Sequence, residues 1–327
     1  MPKQTDVIEK MNKWGKESIP FLFIIDFEIE NPLVLRTDEI NNNELLYQLN
    51  EITNYRHSGM PVSDIIFNKF PISFDEYSHQ FNNIIRHIAL GNTYLLNLTC
   101  ATPIQTNLSL RDIYQHSESK YKLLCHDQFV CFSPETFISI SNGKVRSYPM
   151  KGTIDAAIEN AAEIIMNDPK ETAEHYTIVD LIRNDLNMVA KNVRVEKFRY
   201  IDTIKTSHKT LLQVSSVISG DLPTDYPSHI GDLIFTLLPA GSISGAPKKK
   251  TVDIILETET YKRGYYTGIF GYFDGINLDS AVMIRFIENT AQGMIYKSGG
   301  GITSFSDKES EYEEMIDKVY VPIDRKH

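Results

Sequence analysis

The 327-residue chain reads as an α+β protein, a single compact domain of large, mostly antiparallel sheets flanked by helices. Three observations lead there. β-Branched and aromatic runs are separated by the turn pairs Asn142-Gly143 and Asp274-Gly275, which are strong hairpin signals. Strands and helices succeed one another without the strict alternation of a parallel sheet. No solenoid-length repeat, low-complexity tract or Pro/Ser-rich linker divides the chain.

Taken in order, IPFLFIIDFEIE (19–30) predicts a strand entering the core. Helical patterns follow at about 39–51 and 73–90. In the second, Phe74, Tyr77, Phe81, Ile84, Ile85 and Ile88 recur at three and four, and Gly91 stands just past the end, where a left-handed cap is wanted. TYLLNLTC (93–100) predicts a buried strand, and FVCFSPETFISISNGKVRSYPM alternates about its turn at Asn142-Gly143. Residues 156–166 and 170–188 read as helices, 193–201 and 210–219 as strands, and 227–238 and 247–257 as helices around the turn-rich PAGSISGAP. YYTGIFGYFD and SAVMIRFIE pair as a hairpin through Asp274-Gly275, another strand lies near 293–298, and a last helix begins near Lys308.

Composition narrows the function. With 42% hydrophobic and 10% aromatic residues the chain can bury a substantial core. Lys plus Arg number 33 against 43 Asp plus Glu, a formal charge of −10, which argues against a broad phosphate-backbone interface and so against a nucleic-acid partner. Cys100, Cys125 and Cys131 lack metal-ligand spacing and read as reduced core thiols. The run FLFII (21–25) is too short for a signal core or a membrane span and meets Asp26 at once, so a cytoplasmic protein without membrane contact is expected.

Two glutamate pairs, Glu171/Glu174 and Glu311/Glu314, stand at i,i+3 in helical patterns, which puts each pair on one face. The helix after Glu174 carries Ile178, Val179, Leu181, Ile182 and Leu186, so much of it is buried and its early carboxylates lie near the positive end of the dipole. Hard carboxylate oxygens with water left on the ion describe a Mg²⁺ site serving a substrate anion. Lys151 follows a β-patterned segment and precedes Gly152, which allows close backbone approach. A partly desolvated lysine sheds its proton readily and is a candidate amine nucleophile. Gly299, Gly300 and Gly301 let backbone N–H groups converge on a carboxylate. GAPKKKT lacks the phosphate-loop pattern, so nucleotide phosphate is not what that turn reads.

Seven segments in order, GNTYLLNLT, SPETF, PMKGT, AEHYTIVDLIRNDL, GSISGAPK, YYTGIFGY and SGGGITSFSDKESEYEEMIDK, resemble the chorismate-utilising enzymes over roughly residues 73–320. Within that family the PMKGT segment is closest to the aminodeoxychorismate synthases. The resemblance implies the anthranilate synthase component I-like fold, with residues 1–72 a shortened N-terminal part and 73–327 the chorismate-binding catalytic region. It implies that Glu174 and Glu314 ligate Mg²⁺ and that Glu171 and Glu311 support it. Arg285 and Lys318 would hold substrate carboxylates, with Tyr266, the Gly299, Gly300 and Gly301 backbone and the Ser244 hydroxyl completing the anion pocket.

The reaction implied is amination of chorismate at C4, with Lys151 attacking C2 and Glu135 of SPETF as general acid for the departing hydroxyl. The product, 4-amino-4-deoxychorismate, leads to 4-aminobenzoate and folate. No cysteine sits in a glutaminase-like nucleophile turn, so ammonia comes from solution or from a separate glutamine amidotransferase subunit. Leu95 departs from the Gln usual in amino-transferring relatives and from the Lys of water-using ones, and Gln213 stands where many members have His. An anthranilate synthase large subunit, or a catalytically silent chorismate-binding subunit, are the competing readings.

Overall fold

The computed structural model describes residues 3–56, 64–205 and 210–323. The first part of the chain runs α1 (Gln4–Lys16), β1 (Phe21–Ile25), β2 (Leu33–Arg36), β3 (Leu45–Leu49), β4 (Ile52–Thr53), β5 (Phe67–Lys69), α2 (Phe74–Ala89) and β6 (Leu95–Thr106). Next come α3 (Leu110–His116), β7 (Tyr121–Cys125), β8 (Phe129–Ser133), β9 (Thr136–Ser141), β10 (Lys144–Ser147), β11 (Met150–Asp155), α4 (Ala161–Asn167) and α5 (Pro169–Asn187). The remainder is β12 (Lys191–Lys205), β13 (Thr210–Asp221), α6 (Ile230–Thr236), α7 (Gly241–Ser244), β14 (Gly245–Ala246), α8 (Lys248–Thr258), β15 (Ile269–Phe273), β16 (Leu278–Val282), β17 (Phe286–Thr290), β18 (Gly293–Ile302) and α9 (Lys308–Asp317).

The strands form two nine-stranded sheets, and every pairing among the described residues is antiparallel. One has the order β11-β13-β10-β9-β16-β15-β1-β2 with β12 also on β13; the other is β14-β6-β18-β17-β8-β7-β3-β4 with β5 on β6. The predicted α+β class with large antiparallel sheets is the one observed. The largest core cluster packs β1 residues Phe21, Phe23 and Ile25 with Ile178 and Ile182 of α5, Ile230 and Ile234 of α6, and Ile254 and Ile255 of α8.

Local chemistry sets most boundaries. Ser73 caps α2 by accepting from the Glu76 N–H at 3.2 Å, and Glu76 returns the bond to the Ser73 N–H at 3.1 Å, a reciprocal capping box. Gly91 then takes φ +73°, the left-handed close predicted for it. Asn142 (φ +52°) and Gly143 (φ +69°) turn β9 into β10 with both central residues left-handed, as a two-residue hairpin requires.

Four expectations are corrected. The helix read at 39–51 is instead a turn followed by β3, whose LLYQL pairs with β7 from Leu45↔Cys125 to Leu49↔Tyr121. The helix read at 156–166 starts only at Ala161, because Asn160 sits at φ +56° and the Ala157 N–H is held by the Asp155 carboxylate. The strand read at 93–100 runs on to Thr106, and SAVMIRFIE is two strands. The chain leaves β16 at Val282, turns at Arg285 (φ +52°) and enters β17 in the other sheet.

One buried cation ties the elements beneath this crossing. Arg263 is 1% exposed and donates to the Glu259 carboxylate at 2.8 and 2.7 Å, to the Asn97 carbonyl of β6 at 2.6 Å and to the Ile243 carbonyl of α7 at 3.0 Å. Glu259 also accepts from the Thr99 N–H and hydroxyl at 2.9 and 2.8 Å. Breaking one side of such a pair leaves a buried charge unmatched, so Arg263→Ala is expected to lose about 3–5 kcal/mol in urea unfolding. A loss under about 1 kcal/mol would remove this network from the account.

Candidate active site

Four separate segments converge where β11, at the edge of one sheet, meets β18, inside the other. Lys151 comes from β11, whose register against β13 shifts between Lys151 and Thr153. Gly152 takes φ +75° at that bulge, and a Cβ there would lie 3.1 Å from Glu171 Oε2 and 3.3 Å from the Ile165 side chain. Glycine is therefore what lets α5 bring its carboxylate against the strand. Asp168 caps α5 by accepting from the Glu171 N–H at 2.8 Å, and Pro169 opens the helix, so Glu171 and Glu174 fall on its first turns. Asp307 caps α9 in the same manner through the Ser310 N–H at 2.9 Å and presents Glu311 and Glu314.

Gly299, Gly300 and Gly301 lie inside β18 and pair with Thr99, Leu98 and Asn97 of β6, while the β17 pairing on the other side of β18 reaches only to Lys297. Their missing side chains matter. A Cβ on Gly300 would stand 3.2 Å from Glu311 Oε2 and 3.8 Å from both Glu314 Oε1 and Lys318 Nζ. One on Gly301 would stand 3.1 Å from Lys151 Nζ, 3.2 Å from Leu95 Cδ1 and 3.7 Å from Glu174 Oε2. The glycines are the floor over which the charged groups gather.

Above that floor carboxylates and ammoniums interleave. Lys151 Nζ lies 3.1 Å from Glu174 Oε2, Lys170 Nζ 2.8 Å from Glu311 Oε1 and 4.0 Å from Glu174 Oε1, and Lys318 Nζ 2.6 Å from Glu314 Oε1. Lys318 also donates to the Gly299 carbonyl at 2.8 Å, and Ser306 donates to Glu311 Oε1 at 2.7 Å. Glu174 and Glu311 are buried, while Glu314 stands half exposed at the rim.

The environment sets the proton affinities. Burial opposes charge on Lys151, but the Glu174 carboxylate outweighs it and holds the ammonium above the ordinary lysine value. As the side chains stand, Lys151 is ion-paired with Glu174. Burial pulls Lys318 below the usual lysine value despite Glu314, and although burial works to raise Glu314, Lys318 leaves that carboxyl low. Burial, then the nearby Glu174, lifts Glu171. Burial also lifts Glu135, against the lowering pull of a Ser242 hydrogen bond, Lys151 and Lys318. A carboxyl raised in this way is suited to donating a proton.

The other predicted positions are less uniform. Ser244 is fully buried and its hydroxyl donates to the Ala240 carbonyl at 2.9 Å, so its proton is already committed. Tyr266 is buried in the second core cluster with its ring 5.8 Å from that of Phe286. Arg285 donates to the Lys318 carbonyl at 3.0 Å and lies over the Tyr320 ring, with no carboxylate partner among the described residues. Gln213 faces Thr153 across the β11–β13 bulge, at 3.4 Å. Lys170, Ser242 and Ser306 had not been singled out. Only Lys170 had a readable signal, its i,i+4 spacing to Glu174.

As the side chains stand, no three acidic, imidazole or thiol groups among the described residues converge closely enough to grip an ion. The donor chemistry nevertheless fits a hard divalent cation. The groups that gather there are hard oxygen donors, four of them carboxylates, and the Lys170 ammonium already marks a cation position between Glu174 and Glu311.

Residues 28–324 match the family described as chorismate binding enzyme, and the chain belongs to that family. It is 49% identical over 317 residues, 97% of this chain and 96% of the relative, to an uncharacterized PabA-like protein of Haemophilus influenzae. It is 33% identical over 267 residues to aminodeoxychorismate synthase component 1 of Bacillus subtilis, spanning 76% of this chain and 55% of that protein. Among solved structures, the menaquinone-specific isochorismate synthase MenF from Escherichia coli shares the fold with a TM-score of 0.75 at 15% identity, over 97% of this chain and 81% of that one. Anthranilate synthase component I from Streptococcus pneumoniae aligns with a TM-score of 0.66 at 27% identity, over 80% and 60% of the two chains. No described helix is long and apolar enough to cross a membrane.

The glycine floor yields a graded prediction. A Cβ on Gly299 would meet the Leu98 carbonyl at 2.1 Å, a backbone clash, whereas on Gly301 it meets the flexible ends of Lys151 and Leu95. Gly299→Ala is expected to lose about 3 kcal/mol of stability. Gly301→Ala is expected to keep its melting temperature within a few degrees while chorismate turnover drops about tenfold or more. Equal stability of the two variants in thermal unfolding would contradict this division.

Proposed function

We propose that this chain aminates chorismate at C4 to give 4-amino-4-deoxychorismate, with Lys151 as a covalent nucleophile. The observation that carries the reading is the placement of Lys151, in PMKGT on β11, at the glycine floor beside Glu174 and within the electrostatic reach of Glu135. The relative named aminodeoxychorismate synthase component 1 supports it.

The chain's own residues divide the work. Arg285, which has no carboxylate partner among the described residues, and Lys318 hold the substrate carboxylates. Glu174 and Glu314, with Glu171 and Glu311, would hold Mg²⁺. Bound there, the ion supplies positive charge beside the substrate's ring carboxylate. Lys151, once deprotonated, bonds to C2; the ring double bonds shift, the C4–O bond breaks, and the Glu135 proton leaves with the hydroxyl as water. Ammonia then bonds to C4, the double bonds shift back, and Lys151 departs from C2 as the free amine. The new C4 ammonium returns a proton to Glu135, and the enolpyruvyl side chain stays in place. Two displacements replace one difficult substitution. Ammonia arrives from solution or from a separate glutamine amidotransferase subunit, and the product feeds 4-aminobenzoate and folate synthesis.

Leu95 adjoins this route. Its side chain lies against Gly301 beside Lys151, where it supplies no base to activate water. That favours an incoming nucleophile which is basic in its own right.

The deciding experiment is mass spectrometry of the product formed from chorismate, Mg²⁺ and ammonium salt. Aminated product with the side chain retained is expected. Release of pyruvate in step with turnover would instead mark an anthranilate synthase large subunit, and absence of any product a silent chorismate-binding subunit. Lys151→Ala should slow amination by at least about a hundredfold while chorismate still binds in fluorescence titration. An unchanged rate removes the covalent step.

The pH profile separates the two groups. Glu135 must carry its proton and Lys151 must lose one; because Lys151 is held far above Glu135, the gain and the loss cancel between their two values, and as pH rises turnover declines only on the alkaline side of Lys151. Below Glu135 only the Lys151 proton, which Glu174 retains, counts, so turnover falls as pH drops. Glu135→Gln is expected to abolish the alkaline decline and leave the acid limb. An alkaline decline that survives the substitution assigns the acid elsewhere.

A further inference from the structure

Lys170 has no part in the reaction above, yet it stands among the carboxylates. It leaves α5 one turn before Glu174, and its ammonium lies 2.8 Å from Glu311 Oε1 and 4.0 Å from Glu174 Oε1. Glu311 is 2% exposed, and its other partner at that oxygen is the neutral Ser306 hydroxyl. Lys151 takes the opposite oxygen of Glu174, and Lys318 takes Glu314. Lys170 is thus the only described cation shared by the two acidic helices.

Two buried carboxylates brought together repel and lose hydration unless a cation lies between them. A tethered ammonium meets that need with no added ligand. It also occupies oxygens that a divalent ion requires. The Lys170 side chain is 34% exposed against 21% for Lys151, so it has a path to solvent that needs no repacking of the core.

We propose that Lys170 is an internal counter-ion holding the cation position between Glu174 and Glu311, so that a divalent metal binds by displacing its ammonium and metal affinity is set by that exchange. The inference rests on the reading of the four glutamates as the metal-holding set. Removing the charge of Lys170 frees the oxygens for metal while exposing the carboxylates to mutual repulsion in its absence. Metal affinity and metal-free stability then move in opposite directions.

The test titrates Mg²⁺ calorimetrically into the wild type, Lys170→Met, Lys170→Arg and Glu314→Ala, and melts each protein with and without Mg²⁺. Lys170→Met is expected to bind Mg²⁺ at least about tenfold more tightly. Without metal it should melt about 5 °C or more below the wild type and recover with saturating Mg²⁺. Lys170→Arg keeps the charge and should match the wild type in both respects. Folding of Lys170→Met only when Mg²⁺ is present would uphold the exchange in its extreme form. Unchanged or weaker Mg²⁺ binding by Lys170→Met, with Glu314→Ala weakened as expected, overturns the exchange and leaves the metal reading standing. An arginine variant that tightens like the methionine one overturns a role for charge. Wild-type protein that binds no Mg²⁺, or binding untouched by Glu314→Ala, overturns both.

Discussion

Buried carboxylates must be matched by cations, and in this molecule that requirement governs how the two sheets meet. Glu174 and Glu311 are removed from water on α5 and α9, and each is answered by a lysine from a different part of the chain. Unmatched, either charge would cost several kcal/mol. Met together, they join an edge strand of one sheet, a central strand of the other and two helix starts. Such an arrangement is costly in folding terms, and buried, mutually perturbed ionisable groups of this kind mark a candidate functional site.

The strands set the geometry of that meeting. β18 passes beneath the charges with no side chains over three residues, which leaves room for Lys151 and Glu174 over Gly301 and for Glu311, Glu314 and Lys318 over Gly300. The bulge at Gly152 turns β11 toward α5. The crossing from β16 to β17 carries Arg285 from one sheet to the other and places its guanidinium at the end of α9. Arg263 and Glu259 secure β6 and α7 behind the floor. Each device relies on a backbone or charge feature that a substitution of similar size would not reproduce.

Much of this was legible in the chain itself. The apolar period of α2 with its Gly91 stop, the Asn142-Gly143 and Asp274-Gly275 turns and the two glutamate pairs announce themselves by local chemistry, and local chemistry decides them in the structure. LLYQL was not legible, because five apolar-rich residues buried on both faces look alike as helix or strand until a distant partner such as β7 is known. In α1, Val7, Met11 and Trp14 repeat at four and three, but the charged residues between them dilute the signal. The glycine run has no side chains and so no period to read; its pairing with β6 is tertiary. Arg263, solitary in KRGYY, shows nothing of its burial in sequence. Lys170 looks like a solvated helix charge, and only the approach of α9 gives it a second carboxylate.

The central claim is that this charge cluster holds Lys151 where its amine can bond to a bound ring. The most direct measurement is peptide-level mass spectrometry of the protein quenched after mixing with chorismate and Mg²⁺ in the absence of ammonia. The account predicts a chorismate-minus-water adduct on the peptide carrying Lys151, discharged when ammonium is added. Aminated product formed by protein that never carries such an adduct would contradict it.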